Sequence, residues 1–477
     1  MSIASAPEPA PPSASVGTPP APHRTPQTAP GLRQLLPLPY GIVAAARRDL
    51  LGFLTENNRR FGDVFRYQTG PFTFHLIAHP DGVKHVLQDN HKNYPRSWLY
   101  GFTRLVIGDG LVSSEGEPWR RQRRMLQPAF HHQRVAALAG LMTAATADML
   151  DRWQPHAQTG RPFDVAGEMI ALTLRIIGKT LLSVELSEHT GSIGAAVVTA
   201  LDYLNHRMNH HFALPVWVPL PRNIRFRRAM RDLDALVYGI ISERRTTGPE
   251  TNNSSNDLLS MLLALRDEET GEAMTDRELR DQVITFIGAG HETTAVALAW
   301  TWYLISQYPD VEARMRAEVA GVLGGRVPTV ADLPQLVVTR NVIQESLRLY
   351  PPVFGVVRDV IDEDEIGGFR IPAKTSVILS QYVTHHHPAV WENPERFDPD
   401  RFTPEKSEGR ARFAHFPFLG GPHHCIGAEF AMMEATLIVA MVMQRYRLRL
   451  APGTRVEPLP MLSLRPKGGL PMLLEQA

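Results

Sequence analysis

Cys425 is the only cysteine among 477 residues, and it stands in Phe418-Leu-Gly-Gly-Pro-His-His-Cys-Ile-Gly427. One sulfur makes no internal disulfide, no structural zinc site and no iron–sulfur cluster. Three fates remain: an inert buried thiol, a catalytic nucleophile, or the single thiolate ligand of a haem iron. Residue type alone favours the inert thiol. The surroundings shift that balance, because Gly420-Gly421-Pro422 forces a tight turn and Ile426, Phe430, Met433, Leu437 and Met441 then recur at helical spacing. The sulfur is therefore expected at a loop-to-helix junction, where backbone amides and the helix dipole favour negative charge. Gly427 removes a side chain two positions on, which lets a flat ligand approach.

Ala289-Gly-His-Glu-Thr-Thr294 sets an acid beside an alcohol, Glu292 and Thr293, a pairing suited to moving protons. Its bland reading is a threonine-rich packing seam with a solvated glutamate. A zinc reading of His291-Glu292 fails, since His-Glu-x-x-His needs a second histidine and position 295 is alanine. Glu345 and Arg348 lie three apart, ordinarily a surface pair of small value. Trp119-Arg-Arg-Gln-Arg-Arg124 is a basic run whose ordinary meaning is a solvated helix face. His131-His132, His210-His211 and His385-His-His387 read as surface histidines, because adjacent residues rarely converge on one ion.

Long elements must position these groups. Thr275-Asp-Arg-Glu278 is a capping box, and the helix it opens runs to Gln307, about 50 Å at 1.5 Å per residue. Apolar residues on several sides (Val283, Ile284, Phe286, Ile287, Leu298, Trp300, Trp302) imply burial, yet the centre carries Gly288, Gly290 and Glu292. Two glycines cost roughly 1 kcal/mol each in a helix interior, and local rule-breaking of this kind marks functional sites. Amphipathic stretches such as Val135 to Trp153 make the middle of the chain helical. Strand signals lie at both ends: a hairpin over Asp63–Gly70 and Phe72–Ala78, then Phe369–Ile371 and Ser376–Leu379. Residues 1–31, rich in Pro and Ala, read as a disordered leader, and 32–477 as one domain, mostly α with small β-sheets (α+β). Lys plus Arg (50) balances Asp plus Glu (49), so charge makes no case for nucleic acid. The absence of any apolar run near 20 residues, of an export signal and of paired cysteines points to a cytoplasmic protein without a membrane anchor.

Phe418, Gly421, Cys425 and Gly427 fall in register with the haem signature Phe-x-x-Gly-x-Arg-x-Cys-x-Gly, so the chain resembles the cytochrome P450 family from about Leu32 onward. The resemblance implies that fold, with haem b (iron protoporphyrin IX) between the long helix and the helix after Cys425. It makes Cys425 the axial ligand of the iron, shielded by Phe418. His423 replaces the usual arginine and is expected to donate a hydrogen bond to a haem propionate without a fixed charge. Ala289 faces the haem, Thr293 hydrogen-bonds dioxygen and Glu292 relays protons. Trp119 and Arg123 reach one propionate and Arg358 the other, while Arg120, Arg121 and Arg124 point outward toward an acidic electron carrier. Glu345, Arg348 and Arg401 form a buried structural triad.

The implied reaction is O2-dependent insertion of one oxygen atom into an apolar substrate of the terpenoid, fatty acyl or polyketide class, catalysed by a monomer. Electrons come from a ferredoxin or flavodoxin with its reductase. The pocket is expected near Trp98 to Leu105, Leu204 to Val218, Phe286, Val353 to Val357 and Met461-Leu462. Rival readings are a peroxygenase or isomerase that does not use O2, a non-catalytic haem sensor, and a haem-free thiol hydrolase using Cys425 with His423 or His424.

Overall fold

The computed structural model describes residues 26–36, 40–186, 192–209, 214–247 and 257–477. Helices dominate, and the strands form four small sheets among the described residues. The main sheet has five strands in the order Gly31–Gln34, Val64–Thr69, Phe72–Ile77, Ser376–Leu379, Val356–Asp359. Its centre is the expected hairpin, antiparallel with Val64 opposite Ile77 and Thr69 opposite Phe72. Strand structure starts earlier than the leader expectation allowed. Gln27–Thr28 pairs in parallel with Phe369 and Arg370, because a short polar strand finds a ready edge there.

The long helix spans Asp276–Gln307. Its capping box is formed: the Thr275 amide donates to Glu278 Oε2 at 2.8 Å, and the Glu278 amide donates to Thr275 Oγ1 at 3.2 Å. Trp300 and Trp302 are fully buried, and the Trp300 indole donates to the Leu464 carbonyl at 2.6 Å. Helix Ala428–Arg445 buries Leu437, Ile438, Val439 and Ala440 completely, as a helix apolar on all sides must. Against it pack the C-terminal half of the long helix and helices Ala139–Thr159, Pro309–Leu323 and Val337–Leu349. A second core gathers the N-terminal half of the long helix with helices Ser192–Asn209 and Pro221–Thr247. The stretch from Val135 to Trp153 is two helices, since the chain steps at Leu138 between His132–Ala137 and Ala139–Thr159.

The histidine clusters correct one expectation. His385, His386 and His387 are buried, each with a local partner: His385 Nε2 accepts from the Phe416 amide at 3.0 Å, His386 Nδ1 lies 2.7 Å from the Tyr382 carbonyl, and His387 Nε2 lies 2.7 Å from Asp63. His131 and His132 are exposed, and His210-His211 lies outside the described residues.

Candidate active site

The cysteine loop is shaped from beneath. Gly421 has φ +63°, and a Cβ there would lie 1.9 Å from the Leu87 carbonyl oxygen, so the close approach of that backbone demands glycine. The Cys425 amide donates to the Phe418 carbonyl at 2.9 Å, closing the loop before helix Ala428–Arg445 begins. Cys425 is exposed to an internal cavity yet enclosed by protein on the other sides. Burial pushes its thiol above the ordinary value, with the Gly427 amide and the Arg123 charge opposing. The loop thus lowers the cost of a thiolate without producing one. A coordinating metal would supply the missing stabilisation, whereas a hydrolytic nucleophile would need a depressed pKa. Among the described residues no hydrogen bond joins the Cys425 sulfur to a histidine.

The cavity, of about 520 Å3, runs between the two helices. Cys425, Phe418 and Gly427 lie at one side, and Phe286, Ala289 and Thr293 at the other. A Cβ on Gly427 would meet nothing within 4 Å, so this glycine keeps an open face as expected. Beyond the helix lie Leu99, Val106, Leu201, Leu204, Val353 and Leu462, which give the space its apolar character.

Cations collect on the rim. Arg358 is 3% exposed, and its backbone bridges that of Arg96. Burial presses Arg96 below the ordinary guanidinium value; Glu115 opposes this and the Arg358 charge adds to it. His423 packs against Trp119 with ring centroids 4.0 Å apart and planes tilted by 45°, and its Nε2 lies 3.3 Å from Glu115. Burial alone would raise Glu115, but the His423 hydrogen bond and the Arg96 charge outweigh it and hold that carboxyl at about 2. His423 Nδ1 is buried without a partner. Arg123 donates to the His424 carbonyl at 3.0 Å from the cysteine side. Arg96, Arg123 and Arg358 thus line this side of the cavity, Glu115 is set against Arg96 and His423, and the one carboxylate of the described lining is Glu292 across the cavity.

A haem fits this donor set. It presents a flat apolar body for the space beside Gly427, an iron for the lone sulfur, and two propionates for the surplus cations and the orphaned His423 nitrogen. Arg96 escaped the sequence reading: no motif marks it, and its place on the rim comes from the bridge to Arg358 and from bonds to Glu115 and the Ser114 carbonyl.

Across the cavity, Thr293 Oγ1 donates to the Ala289 carbonyl at 2.7 Å and Thr294 Oγ1 to the Gly290 carbonyl at 3.1 Å. Such back-bonding competes with the helical ladder, though the helix stays continuous. Glu292 is 2% exposed, far from the solvated glutamate of the bland reading. Its Oε1 accepts from Ser463 Oγ and from Arg465, whose Nη2 lies at 2.7 Å and Nε at 2.9 Å. Its Oε2 has no partner. Ser463 and Arg465 belong to the C-terminal hairpin Pro458–Pro460 and Leu464–Pro466, and no local signal tied them to position 292.

The structure also brings Glu345, Arg348 and Arg401 together. Arg348 Nε lies 2.7 Å from Glu345 with both side chains fully buried, and Arg401 Nε stands 3.4 Å from Glu345 while Nη2 donates to the Asn393 carbonyl. The basic helix Gly116–Leu126 is less free than expected. Arg121 pairs with Asp267 and Glu278, Arg124 with Asp267 and Glu269, and Arg120 with Glu117. Those charges are met within the chain, so the outward basic face is smaller than the sequence suggested.

The cytochrome P450 family model matches residues 30–472. The chain is 37% identical to cyclooctatin synthase of Streptomyces melanosporofaciens, over 90% of this chain and 92% of that protein. It is 38% identical to cyclooctat-9-en-7-ol 5-monooxygenase of the same organism, over 92% and 93%. A crystal structure of the cytochrome P450DA heme domain superposes with a TM-score of 0.86 at 26% identity, covering 95% of this chain and 98% of that one.

Proposed function

The chain belongs to the cytochrome P450 family and is a monooxygenase, and from that premise we propose that it oxygenates a terpenoid through the residues gathered around Cys425. Haem b, when bound, supplies the activation of O2, with one oxygen atom entering a substrate C–H or C=C bond and the other leaving as water after two electrons and two protons are taken up. Cys425 holds the iron. His423 Nδ1, Arg96, Arg123 and Arg358 bind the propionates, and Trp119 holds the His423 ring in place. Thr293 has its proton committed to the Ala289 carbonyl, so its oxygen offers lone pairs to the cavity. Glu292 has one oxygen locked by Ser463 and Arg465, leaving Oε2 to hold and pass a proton. Electrons come from a separate ferredoxin or flavodoxin with its reductase, and the protein works as a cytoplasmic monomer.

One observation carries the reading: the only cysteine sulfur in the chain opens onto an apolar cavity whose described lining holds Arg96, Arg123 and Arg358 against one carboxylate, Glu292, already paired with Arg465. Terpenoid is favoured over fatty acyl because, among the described residues, the only arginines or lysines of the cavity lining are Arg96, Arg123 and Arg358, which leaves none to spare for a substrate carboxylate. Similarity to an enzyme named for a cyclic alkenol points the same way. The test uses carbocyclic terpene alkenes and alkenols under isotopically heavy O2 with a surrogate reductase pair. The reading expects one heavy oxygen atom per product. Heavy oxygen drawn from water, or product without O2 consumption, would refute it.

A further inference from the structure

We propose that a second cavity, separate from the one at Cys425, binds a small organic guanidinium compound. The two cavities share no lining residue. Four tyrosines reach the second one from different elements. Tyr303 comes from the last turns of the long helix, Tyr308 and Tyr350 from the residues that end helices Asp276–Gln307 and Val337–Leu349, and Tyr382 from the short helix Gln381–His385. All four are half-buried. Their rings are braced from behind: Tyr350 stacks on the fully buried Trp300 at 4.0 Å and meets Tyr303 edge-on at 6.2 Å, while Tyr308 leans on the buried Phe397 at 5.0 Å. Burial raises the Tyr350 phenol above its ordinary value, and the nearby groups of Tyr303, Tyr382, Glu395 and Tyr308 raise it further, so these phenols and the one carboxylate of the lining border a common space. None of the four hydroxyls has a hydrogen-bond partner among the described residues.

His386 adds a directional acceptor. It is 6% exposed, and its Nδ1 donates to the Tyr382 carbonyl at 2.7 Å, which leaves Nε2 as a lone-pair acceptor. Burial above all, with the Arg348 and Arg59 charges, lowers the ring to about 4 and keeps it neutral at neutral pH. Its Nε2 lies 3.7 Å from Glu395 Oε2, so two acceptors face each other and no described residue donates between them. The chain's own cations leave the space open. Arg59 stands 3.8 Å from Glu395 with the two side chains 62% and 65% exposed, a contact of small value. Arg348 is committed to Glu345 and the His385 carbonyl. Among the described residues no arginine or lysine lies over any of the four tyrosine rings. The negative end of helix Val337–Leu349 adds to the attraction for a cation where Leu349 and Tyr350 border the space. A guanidinium stacks on a phenol face while its planar fork donates to two neighbouring acceptors. An anion would meet Glu395, and an apolar molecule would leave Glu395 and His386 unmet.

The experiment is isothermal titration calorimetry of the haem-loaded enzyme with butylguanidinium chloride, and with butylurea as the uncharged compound of the same shape, at matched ionic strength. The haem absorption is followed in parallel. A guanidinium keeps its charge and offers no lone pair, so it does not ligate the iron. Butylguanidinium is expected to bind roughly tenfold more tightly than butylurea, or better, without moving the haem band. Tyr382→Leu and Glu395→Gln should each weaken binding roughly fivefold. Arg59→Gln should strengthen it roughly twofold by removing the competing charge, a gain that a folding defect does not mimic. No binding of butylguanidinium, or equal binding of the two compounds, would overturn the proposal. Binding that Tyr382→Leu and Glu395→Gln leave unchanged would also overturn it, in favour of a carboxylate elsewhere on the surface. A shift of the haem band would do so in favour of the cavity at Cys425.

Discussion

Replacing Arg465 with methionine removes the counter-charge of a glutamate that is 2% exposed while keeping much of the side-chain stem. Breaking a fully buried ion pair costs about 3–5 kcal/mol, because the remaining charge is stranded. Arg465 is 26% exposed on its side chain, so water can partly replace it, and about 2–3 kcal/mol is the working figure. Ser463 still donates to Oε1 and limits the loss. The assay is a double-mutant cycle in urea, read by circular dichroism and the haem band together, using Arg465→Met, Glu292→Gln and the pair. If a stranded carboxylate causes the loss, the pair should recover most of it, giving a coupling of about 2 kcal/mol. Activity should separate from stability: Arg465→Met should form less product per electron consumed, because Glu292 is no longer held with Oε2 free. A coupling below about 0.5 kcal/mol would place the pair with ordinary surface bridges and refute the reasoning.

Other outcomes follow from the same geometry. Gly421→Ala should abolish haem loading, since its Cβ would strike the Leu87 carbonyl at 1.9 Å, whereas Gly427→Ala should fold and alter the haem spectrum instead; pyridine haemochrome content and circular dichroism distinguish them. Arg348→Met strands the fully buried Glu345 and should cost about 3–5 kcal/mol, seen as insoluble expression or a lower urea midpoint. Acid should destabilise the fold through buried neutral histidines. Burial lowers His75 and His386 to about 4, so each stays neutral in the fold while the unfolded chain takes up protons. That contribution is full above the unfolded value near 6.5 and is lost as pH falls toward about 4, by about 3 kcal/mol per histidine at most. Urea midpoints between pH 7 and pH 4.5 should fall accordingly, and His75→Gln should flatten part of the slope; a midpoint independent of pH across that window would contradict it.

What was legible in the sequence was what local pattern encodes. The capping box at Thr275, the glycine turn before Cys425 and the apolar periodicity of residues 426–446 are short-range signals, and each element stands where its signal put it. The acid and alcohol at 292 and 293 were visible for the same reason. Their partners were not, because Ser463 and Arg465 reach Glu292 across some 170 positions through a hairpin of two three-residue strands. Arg96 was hidden likewise, since its place depends on a bridge to Arg358, some 260 positions on, as well as on Glu115 and the Ser114 carbonyl. Burial misled in two directions. The His385–His387 run looked superficial but is buried, each ring with at least one nitrogen met by backbone or Asp63, and Arg121 and Arg124 looked free but are paired with a turn containing Asp267.

The central claim is that Cys425 ligates haem iron in a cavity that supplies cations for the propionates. The reduced, carbon-monoxide-bound absorption spectrum of freshly purified protein tests it most directly. A Soret band at the long-wavelength thiolate position, lost in Cys425→Ser, is the predicted result. An imidazole-type band in the fresh protein, or a thiolate-type band that survives Cys425→Ser, would contradict it.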